Sequence, residues 1–115
     1  MNGTDKREVI IDTVSINGAP AIDLDNSAGS LSNLNIDCGG SGTGITAHHG
    51  RASASLVVSD STISSCTKGV DLHTDGESAP MILMDVDIES LVAISSDGAS
   101  IMVYDGTLNG SVDVD

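Results

Sequence analysis

The chain has 115 residues with 17 Asp and Glu against 4 Lys and Arg, a formal net charge of −13, and Tyr104 as its sole aromatic residue. Phosphate neutralisation needs clustered cations and single-stranded bases need aromatic platforms, so both charge and composition exclude nucleic-acid recognition. The length fits one domain, no stretch approaches the roughly 18 apolar residues of a membrane span, and the N-terminal MNGTDKRE lacks the hydrophobic segment of a signal peptide.

High net charge with so few aromatic residues favours disorder, but the β-branched residues are too regularly placed for that. Taken in chain order, residues 1–8 form a polar leader suited to capping one end of a domain that spans residues 9–115. The first unit then carries Val9 and Ile11, Val14 and Ile16, and Ile22 and Leu24. The second carries Leu31, Leu34 and Ile36, then Ile45 and Ala47. The third is the clearest, with Leu56 and Val58, Ile63, and Val70 and Leu72. A fourth reads Met81 and Leu83, Val86 and Ile88, Val92 and Ile94. The fifth reads Ile101 and Val103, Leu108, Val112 and Val114. Aligned on Ile16, Ile36, Ile63, Ile88 and Leu108, the units are spaced by 20, 27, 25 and 20 residues.

Within each unit the apolar residues alternate with period two between Gly, Ser, Asn and Asp turns, and no segment sustains an amphipathic helix. Three short strands per unit of this length predict an all-β solenoid, a right-handed parallel β-helix of about five coils. Inward side chains stack on the same type in the next coil, so slim aliphatic residues fill the core without rings. Length variation falls between the second and third strands, where one unit has CGGSGTG and another only ESL.

The stretches NLNIDCGGSGTGITAHH (33–49) and STISSCTKGVDLH (61–73) resemble the coils of right-handed parallel β-helix repeat proteins, which include the pectate-lyase-like superfamily and secreted or cell-surface β-helix repeats. The resemblance covers roughly residues 9–115 and implies a fold, because its motif is structural. Enzymes of that superfamily cleave or epimerise uronic-acid polymers with Asp, Arg, Lys or His on one sheet. The paired-Asp and Gly-His-Gly pattern of polygalacturonases has only a superficial echo in His48, His49 and Gly50. A surface at −13 repels anionic polymers, and with so many acids some carboxylate pair fits a glycosidase spacing by chance.

Register turns the repeat into columns of side chains about 4.8 Å apart. One column, three residues before each anchor, is Thr13, Asn33, Asp60, Asp85 and Asp105. Its stacked carboxylates suit either an Asx-turn ladder at a corner or a calcium site formed by Asp60, Asp85 and Asp105. No EF-hand loop or RTX nonapeptide accompanies them. A second column, after the third strand, is Asp25, His48, His73, Ser95 and Asp115. Here Asp25, His48 and His73 are a candidate transition-metal set, and exposed polar residues are the plainer reading. Cys38 and Cys66 fall in one turn of consecutive coils, within reach of a disulfide or of a buried thiol stack. Two outward rows, Ser15, Asn35, Thr62, Asp87, Thr107 and Asp23, Thr46, Asp71, Ala93, Asp113, are too mixed for the Thr ranks of an ice-binding array.

These observations predict a non-catalytic extracellular or cell-surface module with a structural role or weak glycan or protein binding. No cofactor is required, and calcium is the ion the acidic column would take. The alternative is a fragment of a β-helical polysaccharide lyase, hydrolase or epimerase. Because the chain ends on a strand at SVDVD, it reads either as a piece of a longer solenoid or as a unit whose ends stack on a second copy.

Overall fold

The computed structural model describes residues 7–18, 20–25, 27–49, 56–74, 81–97 and 101–114, and for residues 7–9, 25, 27, 28, 49, 74 and 114 the backbone alone. The expected leader thus lies outside the described residues except for Arg7 and Glu8, which begin the first strand. The described residues form seven strands in order: β1 (Arg7–Asn17), β2 (Ile22–Asp25), β3 (Ser27–Asp37), β4 (Thr43–His49), β5 (Leu56–Thr74), β6 (Met81–Asp97) and β7 (Ile101–Val114). Every strand pairing is parallel. Among the described residues no helix is long and apolar enough to cross a membrane.

The topology is that of a β-solenoid. β5 bonds β3 through its first half and β4 through its second, so one long strand covers two shorter ones separated by the Cys38–Gly42 loop. β1 lies beyond β3 and β2 beyond β4, while β6 and then β7 continue from β5 in the other direction. The ladder puts Ile16, Ile36, Ile63, Ile88 and Leu108 in one column, the alignment that the repeat predicts. The short strands expected in each coil are fused in β5, β6 and β7, where the chain bends without leaving the strand.

The buried core consists of Leu, Ile, Val, Met, Ala and the two Cys. Leu31, Val58 and Leu83 stack on the first face, Ile36, Ile63 and Ile88 on the second, and Ile45, Val70 and Ile94 on the third. Gly44 and Gly69 are also buried, with Ala93 continuing their level. A Cβ on Gly44 would lie 2.8 Å from the Gly69 carbonyl oxygen and 2.8 Å from Ile63 Cγ2, so the close approach of successive backbones requires glycine there.

Register departs from the expectation in the fourth unit. Val70 pairs with Ile94 and Leu72 with Ser96, not Val70 with Val92 and Leu72 with Ile94. The ladder shifts between Ser64 and Cys66 and again between Glu89 and Ile94, and the third face of β6 lies two residues from the expected register. Ala93, expected to point outward, is fully buried, and Ser95 takes its place in the outward row between Asp71 and Asp113. Ser96 is buried in the core position where an aliphatic residue was expected.

Core columns should therefore weaken toward their ends. Ile63 is fully buried between Ile36 and Ile88, whereas Leu108 is only partly covered. Ile63→Ala is expected to cost about 2–5 kcal/mol in urea unfolding, and Leu108→Ala distinctly less. Equal costs would contradict the stacking order.

Candidate functional site

The corner column comes first because the backbone itself explains it. Thr13, Asn33, Asp60, Asp85 and Asp105 all adopt positive φ, between 50° and 61°, at the bend between the first and second faces. Asn and Asp tolerate this left-handed conformation better than most residues, which accounts for four of the five identities. Thr13 is β-branched and poorly suited to it; its hydroxyl donates to Asp12 Oδ1 at 3.0 Å. Asp60, Asp85 and Asp105 are exposed. Their shared geometry gives them a bending role that needs no ligand. Among the described residues no three His, Cys, Asp or Glu side chains are grouped to hold a metal ion.

Two devices secure this corner. Leu34 and Ser61 are missing from the paired positions of β3 and β5, and the Leu34 amide donates to the buried Ser61 hydroxyl at 3.1 Å. That hydroxyl donates in turn to the Ser59 carbonyl at 2.7 Å. A side chain thus satisfies a backbone group left over by the bend. At the first corner, Asp12 Oδ1 accepts from Asn33 Nδ2 at 2.9 Å, Thr13 Oγ1 at 3.0 Å and Ser32 Oγ at 3.1 Å. These donors, Asn33 foremost, hold the Asp12 carboxyl below its ordinary value.

The histidine column is partly as expected. Asp25 pairs with His48 and His48 with His73, but the next residue is Asp97, not Ser95, because of the two-residue shift in β6. The Asp25 side chain lies outside the described residues, as does Asp115. His73 Nε2 lies 3.2 Å from Asp71 Oδ1 and its Nδ1 lies 3.8 Å from Asp97 Oδ2. Lys68 Nζ stands 3.8 Å from the other Asp71 oxygen. Asp71 Oδ1 is buried and accepts no well-directed hydrogen bond among the described residues, so its contact with His73 is one of proximity. The set works as a surface charge network, sensitive to salt.

At the second corner Cys38 and Cys66 are joined in a disulfide, with Cα atoms 4.9 Å apart. The bridge closes a loop turned by Gly39, Gly40 and Gly42, all at positive φ. Gly40 N donates to the Ser65 carbonyl at 2.7 Å and Thr67 N to the Gly42 carbonyl at 2.8 Å, so the loop is bonded to the next coil on both sides of the bridge. Ser90 pairs with Cys66 on the other side, and its buried hydroxyl has no partner among the described residues.

Sequence reasoning missed a groove on the second face. It is a shallow recess of about 280 Å³ lined by Thr62, Ser64, Asp87, Glu89, Thr107 and Asn109 over the Ile63 and Ile88 backbone. Thr107 Oγ1 donates to Asp87 Oδ1 at 2.8 Å, fixing one carboxylate across two coils. A second recess of about 420 Å³ adjoins it, sharing Glu89 and Asn109 and running past Gly40 to the exposed Leu91. The outward row of Thr62, Asp87 and Thr107 is the available signal in the sequence, but the depth of the recess is not encoded in it. Chemically the groove offers hydroxyls, an amide and two carboxylates, groups that pair with neutral polyhydroxylated ligands.

Comparison with family models, with curated proteins and with solved structures finds no match.

Two outcomes are expected of these arrangements. Asn33→Gly removes the main donor to Asp12 without straining the left-handed position, so the Asp12 titration midpoint, followed by carboxyl NMR, should rise toward the ordinary value. The depressed value in the folded chain gives stability that is present above the unfolded carboxyl value and lost as pH falls through the folded one; the variant should lose less on acidification. Reduction of Cys38–Cys66, 28 residues apart, should lower stability by about 3–4 kcal/mol if loop closure dominates, measured by unfolding with and without reductant.

Proposed function

We propose that the chain is a non-catalytic module of an extracellular or cell-surface protein, a right-handed parallel β-helix of about five coils akin to the pectate-lyase-like superfamily. It serves as a rigid spacer and makes weak, cation-assisted contact with a glycan or protein. The observation that carries this reading is the disulfide between Cys38 and Cys66, which cross-links consecutive coils and suits an oxidising exterior. Right-handedness follows the strong preference of parallel crossover connections, and the column from Ile16 to Leu108 supports the coil number. The outward Ser, Thr, Asn and Asp of the second face keep that surface hydrated, and the net charge of −13 fits a salty or calcium-rich setting in which self-repulsion is screened.

The groove with Asp87 and Glu89 favours one alternative, that the chain is part of a β-helical polysaccharide lyase, hydrolase or epimerase. Incubation with a panel of neutral and uronate glycans, with calcium present, separates the two. The module reading expects no turnover, and turnover abolished by Asp87→Asn or Glu89→Gln would replace it with the enzyme reading. A melting series with EDTA, Ca²⁺ and Zn²⁺ tests the cation: stabilisation by calcium lost in Asp85→Asn supports assistance through the Asp60, Asp85 and Asp105 column. Stabilisation by zinc lost in His73→Ala points instead to the Asp25, His48 and His73 column. No shift at millimolar ion removes the cation from the proposal.

A further inference from the structure

The two ends of the ladder are unlike each other in residue composition but alike in path. Among the described residues β1 is bonded on one edge only, to β3, and β7 only to β6. An open parallel edge presents a row of unpaired amides and carbonyls, ready to take another strand. At the β7 end the apolar columns are cut open. Leu83 is fully buried because Val103 covers it, but Val103 itself is 42% exposed; Ile94 is buried beneath Val112, which is 54% exposed. At the β1 end Ile10 is 70% exposed, and Ile11, Val14 and Ile16 are only partly covered.

Extending the register by one level matches these ends to each other. Val103 falls over Ile11 and Leu108 over Ile16, continuing the two core columns, and the exposed Met102 falls over the exposed Ile10. The bends coincide as well: Asp105, with φ 56°, falls over Thr13, with φ 61°, so both edges turn at the same level. Two copies of β7 meeting edge to edge would run antiparallel. Aligning their bends at Asp105 would then set Val103 against Thr107, an apolar residue against an outward polar one. Only the head-to-tail arrangement keeps apolar on apolar through the bend.

We propose that the β7 edge of one copy receives the β1 edge of a second copy of this chain, continuing the parallel ladder head to tail. Such a contact is heterologous and does not close, so its products are open chains of copies. Each copy carries −13, and repulsion opposes the contact until salt shortens the screening length from about 10 Å at 0.1 M to about 3 Å at 1 M. Assembly therefore grows with ionic strength, opposite to a contact held by ion pairs. The inference rests on the strand register and is independent of any glycan contact.

Sedimentation velocity of the full chain tests it. At about 0.1 M NaCl the chain should sediment chiefly as a monomer, and at about 1 M as dimers and longer species. Val103→Lys blocks the β7 edge and Ile11→Lys the β1 edge, and each alone should be monomeric at high salt. An equimolar mixture should form dimers and nothing longer, because one intact β7 edge and one intact β1 edge remain between the two variants. Should either variant lose its strand signal in far-UV circular dichroism, Met102→Lys and Ile10→Lys, at exposed positions, replace the pair. A wild-type chain that stays monomeric at 1 M NaCl overturns the proposal. So does a single variant that dimerises by itself, which would reveal a contact between like edges, and so does a mixture that stays monomeric.

Discussion

Everything in this molecule depends on successive coils stacking in register, one residue over one residue, along the columns headed by Ile16, Ile36, Ile63, Ile88 and Leu108. Backbone bonds of a parallel ladder fix the spacing between coils, and the period of two along each strand decides which side chains face inward. A slip of one residue would put Thr62 and Asp87 in the core and Ile63 and Ile88 in water. Each column of such a core holds one side chain per level, which suits an interior of Ile, Leu, Val, Ala and Met in a chain with a single aromatic residue.

A stack of this kind must also bend within every coil, and bending strands strands polar backbone groups. The chain meets that requirement with Asn or Asp at positive φ in four of the five first-corner positions and with glycines and a disulfide at the second. Ser61 supplies the acceptor that Leu34 lacks, and Asp12 gathers three donors at the corner nearest the β1 edge. The same economy accounts for part of the acidity. Asp60, Asp85 and Asp105 occupy a conformation that most side chains avoid, so their shared identity reflects backbone geometry before any ligand. Polar residues also dominate the outward second face, where the groove around Asp87 and Glu89 lies.

That the chain is an all-β parallel solenoid was legible because alternation and spacing report inward faces directly. Every anchor, and the whole outward row from Ser15 to Thr107, is found where the repeat puts it. The third face of β6 was misread because Val92, Ala93 and Ile94 are all apolar, so alternation fits two registers there. The deciding residues are Ser96, buried despite its hydroxyl, and Ala93, small enough to continue the level of Gly44 and Gly69. That shift is also why Asp97, not Ser95, stands beside His73. The corner column was legible as a column, while its bending role depends on dihedral angles that spacing does not carry. The groove escaped notice because it arises from depth across β5, β6 and β7, which no single stretch encodes.

Cross-coil contacts of the Ile63 methyl groups test the stacking most directly. In a chain with labelled isoleucine methyls, nuclear Overhauser contacts are expected from Ile63 to both Ile36 and Ile88, with no broadening by a soluble paramagnetic probe. Absence of either contact, or an Ile63 methyl open to the probe, would contradict the register on which the fold, the groove and the end-to-end contact all rest.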